Sequence, residues 1–185
     1  MSDDQKLMAR VKEGEETALE LLFAKWEGPL FAFFYRKGCP PSWIEDLTEE
    51  VLVSLYRRRN RYDTNRPFAP WIFGIARLVW NDHLRHSKRG GHRIESLEAA
   101  RNAQSSDPGP ARVVEAREKT DMIRRAIEQM PEDQKEAFIL RHYHGLSYEE
   151  IAQALEAPLG TVKWRIHEAM RRLESLLARW RRNRG

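Results

Sequence analysis

Apolar residues recur every three or four positions along most of this chain, and alternation at every second position is nowhere sustained. A period near 3.6, with charged residues on the opposite face, predicts amphipathic helices and no strands. One helix is expected near residues 3–13. A longer one runs through "TALELLFAKWEGPLFAFFYRK", where Pro29 should kink or interrupt it because proline brings no N–H to the helix. A third extends from Ser42, a candidate cap, to Arg58, with Leu47, Val51 and Leu55 inward. A fourth, "FAPWIFGIARLVWNDHLRHSKR", spans residues 68–89 and is apolar almost all round. Phe68, Trp71, Ile72, Ile75 and Val79 are assigned to its core face, while Phe73, Arg77, Trp80, Asn81 and Leu84 point elsewhere.

The texture then changes. "RGGHRIESLEAARNAQSSDPGPAR" is poor in apolar residues and rich in Gly, Ser and Pro, the composition of a linker. Helical patterning resumes near Val113, breaks at Pro131 and continues through "EDQKEAFILRHY". The expected architecture is therefore all-α: two small helical domains, residues 1–89 and 113–185, joined by a flexible linker over 90–112.

The second domain carries the clearest motif. In "GLSYEEIAQALEAPLG", Ser147 followed by Glu150 fits a capping box, and Ile151, Ala152 and Leu155 form the apolar face of a short helix. Pro158 and Gly160 mark a tight connection. Thr161 can cap the next helix, "GTVKWRIHEAMRRL". At ~100° per residue, Val162, Ile166, Ala169, Met170, Leu173, Leu176 and Leu177 fall within one stripe. Trp164 falls opposite, beside Glu168 and Arg171, with Lys163, Arg165 and His167 on the flanks. Two capped helices with a brief turn form a helix-turn-helix, whose second helix presents its first turns to base edges in the major groove. Packing of Trp164 into a neighbouring groove is the alternative.

Charge sharpens this picture. The chain has 185 residues and a net charge of +4, but the excess is segregated. "SWIEDLTEE" is acidic, whereas Lys163, Arg165, Arg171, Arg172, Arg179, Arg181, Arg182 and Arg184 crowd the end. A basic end gains affinity for nucleic acid by displacing counterions from phosphates. On the third helix, acids Glu45, Asp46, Glu49 and Glu50 precede Arg57, Arg58, Arg59 and Arg61. That order suits the helix dipole and equally offers an acidic face to a protein partner. Aromatic residues interleaved with Arg77, Arg85, Lys88 and Arg89 on the fourth helix could stack and track a single strand, or be core. The single cysteine, Cys39, excludes an internal disulfide. No apolar run approaches the about 20 residues that span a bilayer, and no signal-peptide core follows the N-terminus, so a cytoplasmic protein without membrane insertion is expected. His142 and His144 form an H-x-H, but no HExxH, cysteine pair or phosphate loop accompanies it. They are read as cationic helix-end residues, and neither a metal, a cofactor nor catalysis is expected.

Taken in order, "DLTEEVLVSLYRRRNRYD", "FAPWIFGIARLVWNDHLRHSKR", "IEQMPEDQKEAFILRHYHGLSYEEIAQAL" and "GTVKWRIHEAMRRL" resemble the extracytoplasmic-function sigma factors, small alternative sigma subunits of bacterial RNA polymerase. The resemblance implies that the first domain is region 2, with Asp46, Leu47, Glu49 and Glu50 docking on core polymerase. The fourth helix and its preceding loop "DTNRP" would recognise the −10 element and hold the melted strand, through Arg66, Arg77, Trp80, Asn81, Arg85 and Lys88. The second domain would be region 4, reading the −35 element with Thr161, Lys163, Trp164, Arg165, His167, Glu168, Arg171 and Arg172. An anti-sigma factor is the implied regulator. The chain departs from the family where Leu78 replaces a common Asn, Trp164 a common small Ser and Glu168 a common Arg. Gly74 also replaces a larger residue. An indole can pack on a thymine methyl and a carboxylate can accept from cytosine N4, so a shifted −35 preference is expected. The competing reading is a helix-turn-helix regulator that binds duplex DNA without polymerase.

Overall fold

The computed structural model describes residues 2–89 and 122–182, excepting the side chains of Lys88, Arg89 and Arg181. The expected linker over 90–112 lies outside the described residues. All regular structure among those described is helical: α1 (Asp3–Lys12), α2 (Glu16–Lys37), α3 (Pro41–Arg58) with a 3-10 turn (Arg59–Arg61), α4 (Phe68–Arg89), α5 (122–128), α6 (Glu132–His142), α7 (Tyr148–Leu155) and α8 (Leu159–Arg182).

Local chemistry sets most of these boundaries. Ser2 and Gln5 form a capping box at α1, satisfying backbone donors that a helix start leaves orphaned. Of the kink or interruption expected at Pro29, the interruption does not occur, and α2 continues through the proline. Its buried stripe Leu22, Trp26, Leu30 and Phe33 continues on both sides of the proline, so burial outweighs one lost hydrogen bond. Gly38, at φ 85°, ends α2 in the left-handed conformation, which glycine adopts without a Cβ clash. Ser42 is not the cap of α3. Pro41 occupies the first helical position with Pro40 before it, where a missing N–H costs nothing.

Helices α1–α4 pack around Trp26, Phe33, Phe34, Phe68, Ile72 and Phe73. The rings meet edge-on or tilted, as Trp26–Phe68 at 5.3 Å and Phe33–Phe73 at 5.3 Å, arrangements that suit the aromatic quadrupole. In the second half, α5, α6 and α8 share a small core of Ala126, Ile127, Met130, Phe138, Ala169 and Leu173. The two helical units are in contact. The first core continues through Leu140, Leu146, Ile151 and Leu155 to Val162 and Ile166, so α6 and α7 cover α2 and α4.

Candidate nucleic-acid interface

The second unit presents a formed helix-turn-helix. Ser147 N donates to Glu150 Oε2 at 2.8 Å and Glu150 N to Ser147 Oγ at 3.1 Å, the expected capping box. Glu156 ends α7 at φ 49°, a left-handed conformation that costs a non-glycine residue about 1 kcal/mol. Helix α8 begins at Leu159, and Val162 N donates to Pro158 O at 3.1 Å. Thr161 therefore lies inside the first turn and is not its cap, because Pro158 already presets the turn.

The outward side of α8 is as expected at its centre and different at its edges. Trp164 is 57 % exposed, with Lys163 and His167 exposed beside it, while Val162, Ile166 and Ala169 are buried. Arg165 turns away from this face: its Nε lies 3.1 Å from Asp133 Oδ2 on α6, so it is spent on holding α8 to α6. Glu168 is also engaged. Arg171 donates to both its oxygens at 2.8 and 3.0 Å, and Arg172 Nε reaches it at 3.4 Å. The bond from Arg171 is the main reason that the Glu168 carboxyl is held below its usual range. Its acceptors are committed within the helix, which weakens the expectation that it accepts from cytosine.

In the first unit, Glu45, Asp46, Glu49 and Glu50 form an exposed acidic face on α3. Leu47 does not belong to it. Fully buried with Val51 and Leu55, Leu47 has no surface for polymerase, and its assignment as a contact is corrected to core. Beside the acids lies a groove of ≈ 410 Å³ lined by Phe23, Phe31, Leu52 and Val53 together with Glu27, Glu45 and Glu49. Its apolar residues come from α2 as well as α3, so the spacing along one helix could not reveal it.

The loop before α4 is tied down from several sides. Gln5 Nε2 donates to Thr64 O at 3.1 Å and to Arg66 O at 3.0 Å, and the Tyr62 hydroxyl donates to Arg66 O. Burial, followed by Asp4 and Asp63, pushes the Tyr62 hydroxyl up to about 12, which keeps it a donor. Arg66 itself stays exposed, 3.5 Å from Asp63. A cleft of ≈ 300 Å³ between this loop and Gln153 of α7 is lined by Arg61, Arg66, Tyr62 and Trp71, and an adjoining one by Arg58, Arg61 and Arg77. Arg58, Arg61 and Trp71 were not among the expected site residues. The run of arginines was visible in the sequence, but the dipole accounted for it.

Helix α4 contradicts part of the strand-platform expectation. Phe73 is core, its ring 5.7 Å from Trp26 and 4.6 Å from His144. Trp80 is 6 % exposed, tilted against Phe34 at 6.5 Å, and offers no free face to a base. Burial wins because α2 covers one side of the helix and α7, with His144, packs against it from the other unit, neighbours that the helix alone cannot show. Arg77 is partly covered, its Nε 3.8 Å from Glu136 Oε2. Asn81 is half-buried, and Arg85 is exposed but paired with Asp82. The Lys88 side chain lies outside the described residues.

The expected cationic histidines are also corrected. His144 is driven down to about 4, first by burial and then by Arg36. His142 is lowered too, by burial and then Arg141. Both are neutral at pH 7. Among the described residues, no group of three His, Cys, Asp or Glu side chains is placed to hold a metal, and no helix is long and apolar enough to cross a membrane.

Comparison with known proteins gives this geometry a context. Residues 22–90 match Sigma-70 region 2, and residues 120–173 match Sigma-70, region 4. The RNA polymerase sigma-H factor of Pseudomonas aeruginosa is 29% identical over 94% of this chain and 93% of its own length. The ECF RNA polymerase sigma-E factor of Escherichia coli is 28% identical over 93% of each. Among solved structures, CnrH in complex with the cytosolic domain of CnrY matches at a TM-score of 0.71, with 21% identity over 96% of this chain and 98% of that one. RpoE from Bartonella quintana, in complex with the anti-sigma factor NepR, matches at 0.68, with 24% identity over 86% and 96%. With both sigma regions present in order on two helical units, the chain belongs to the sigma-70 family and is an extracytoplasmic-function sigma factor.

Proposed function

We propose a division of labour over the surfaces of this sigma factor. The chain directs core RNA polymerase to promoters and assists their opening, while the chemistry of RNA synthesis stays with polymerase. The acidic face Asp46, Glu49 and Glu50, with the apolar groove beside it, docks on core polymerase. Helix α8 lies in the major groove of the −35 element, with Thr161, Lys163, Trp164 and His167 toward bases, and Arg171 and Arg172 toward phosphates. Arg66, Arg77, Asn81, Arg85 and Lys88 hold the melted −10 strand, joined by Arg58 and Arg61 from the same cleft. Residues 1–89, 90–112 and 113–185 are the corresponding domain, linker and domain, working in the cytoplasm. An anti-sigma factor is the expected regulator, as RpoE of B. quintana was solved with NepR.

The observation that carries this reading is the outward face of α8, where Trp164 is 57 % exposed between Lys163 and His167 on a chain that also matches region 2. A helix-turn-helix regulator acting alone would leave the acidic face and groove of the first unit without purpose. Run-off transcription with purified bacterial core polymerase on a pool of genomic promoter fragments tests it. Specific transcripts sharing −35 and −10 elements are expected. Failure to bind core or initiate, together with unaided protection of a palindrome, would replace this reading by that of an independent regulator.

A further inference from the structure

The contact between the two units buries charge. Lys37, in the last turn of α2, has a fully buried side chain. Its Nζ lies 2.9 Å from Glu132 Oε1 and 3.2 Å from Glu136 Oε1, both on α6. The second oxygen of Glu136 faces Arg77 of α4 at 3.8 Å. Lys135 closes the cluster, donating to the Lys37 carbonyl at 3.4 Å and lying 3.4 Å from Glu132. Burial pushes the Glu132 carboxyl up, but Lys37 and Lys135 together hold it below its usual range. Lys37 Nζ also sits 5.7 Å from the Trp80 ring.

This cluster is paired but poorly satisfied. Lys37 Nζ, Glu136 Oε1 and the Trp80 indole N–H are buried without aligned hydrogen-bond partners among the described residues. Buried polar groups in that state are costly, whereas separation of the units would return Lys37 and Glu136 to water or to a ligand. The two cations that α6 covers, Lys37 and Arg77, belong to the first unit, and Arg77 stands beside the basic cleft of Arg58 and Arg61. A carboxylate on a cation is the same chemistry as a phosphate oxygen on that cation.

We infer that α6 is a built-in competitor for the melted strand: Glu136 occupies Arg77, and with Glu132 it buries Lys37, holding the two units together in a form that cannot load single-stranded DNA. Release requires a ligand that draws Glu132 and Glu136 off these cations or supplies phosphates in their place. The strand side of this inference rests on the proposed role of Arg77. It adds that the same chain carries the group that blocks it, and that Lys37 joins the strand-binding cations once uncovered.

The test uses the full chain as wild type, Glu136→Gln, Glu132→Gln and Glu136→Gln/Arg77→Ala. Anisotropy with a short fluorescein-labelled single-stranded oligonucleotide of mixed sequence reads strand binding, and small-angle X-ray scattering reads separation of the units. Helical circular dichroism confirms folding. Glu136→Gln leaves buried cations short of a partner, so it should expand the particle and tighten strand binding about tenfold. Glu132→Gln, which removes the half-exposed partner, should do the same more weakly. Adding Arg77→Ala to Glu136→Gln should reverse the gain in binding but not the expansion. No expansion and no gain in either single variant overturns the competitor. Expansion without gain, with Arg77→Ala neutral, leaves a latch between the units but overturns the strand role of Arg77, and the competitor with it.

Discussion

His144 makes closure of the two units sensitive to pH. Its ring lies in the connection between α6 and α7, 4.6 Å from Phe73 and 6.1 Å from Phe33 of the other unit. Its Nε2 is buried without a hydrogen-bond partner among the described residues. Burial first, and Arg36 of α2 second, drive its pKa down to about 4 from an ordinary 6.5. In the closed arrangement the ring is therefore neutral, while an uncovered His144 takes up a proton near pH 6.5. The open form binds more protons between these values, so closure is fully stabilised above pH 6.5 and weakens as pH falls toward 4. The whole shift corresponds to about 3 kcal/mol, of which about 2 kcal/mol is lost by pH 5. The ring keeps some access to water, and screening reduces the effect to about 1 kcal/mol, roughly fivefold in the ratio of closed to open forms. Glu132, held below the usual carboxylate range, acts in the same direction only at lower pH, and His142 is lowered by burial and then by Arg141 of its own helix, so the interval from pH 7 to 5 leaves two histidines, which a His144 variant separates. Fluorescence energy transfer between dyes on the two units should fall across that interval in the wild type. His144→Phe, which keeps an aromatic ring against Phe33 and Phe73, should stay closed throughout. A parallel loss of transfer in wild type and His144→Phe would refute the assignment.

Other consequences are simpler to test. Trp164→Ser should change the −35 sequences selected by the reconstituted holoenzyme, and an unchanged consensus would place the indole outside base recognition. Leu47→Ala should destabilise the fold by about 2–5 kcal/mol, since it deletes a fully buried side chain. Glu49→Lys with Glu50→Lys should weaken binding to core polymerase while moving stability by only about 0.5 kcal/mol, as exposed sites usually do. Both comparisons need thermal melts beside a binding assay. A Cβ at Gly74 would stand 3.5 Å from the Ala154 carbonyl oxygen, an ordinary contact, so Gly74→Ala should gain up to about 1 kcal/mol of helix propensity and raise the melting temperature. Burial lifts the Cys39 thiol to about 12 despite Lys37 nearby, leaving almost no thiolate. Cys39 should react with a disulfide reagent at pH 8 only after unfolding, and fast reaction of the native chain would contradict its burial.

The sequence by itself determined the helices and their inner faces. Local rules suffice there: the 3.6-residue period selected Leu47, Val51 and Leu55 on α3 and Val162, Ile166 and Ala169 on α8, and all six are buried. The capping box at Ser147 and the break at Pro131 were equally legible, since a cap involves residues three positions apart. The outward place of Trp164 followed from the same geometry. Period alone cannot say what covers an outer face, and the corrections at Arg165, Phe73 and Trp80 came from that limit. Arg165 lies on the flank of its helix and was expected toward DNA, until Asp133 of a different helix captured it. Phe73 and Trp80 were outward only while α4 was considered alone. Burial of a helix on two sides depends on a neighbour distant in sequence, here α7 and the His144 connection. His142 and His144 were expected to be cationic because a helix end attracts a proton, but desolvation outweighs a terminal dipole, beside Phe138 of its own helix for His142 and beside Phe33 and Phe73 of other elements for His144. Above all, the composition predicted a tether between independent units and contained no sign that Glu132 and Glu136 would meet Lys37 and Arg77 across them. Pairing of that kind has no sequence period, and only the tertiary structure decided it.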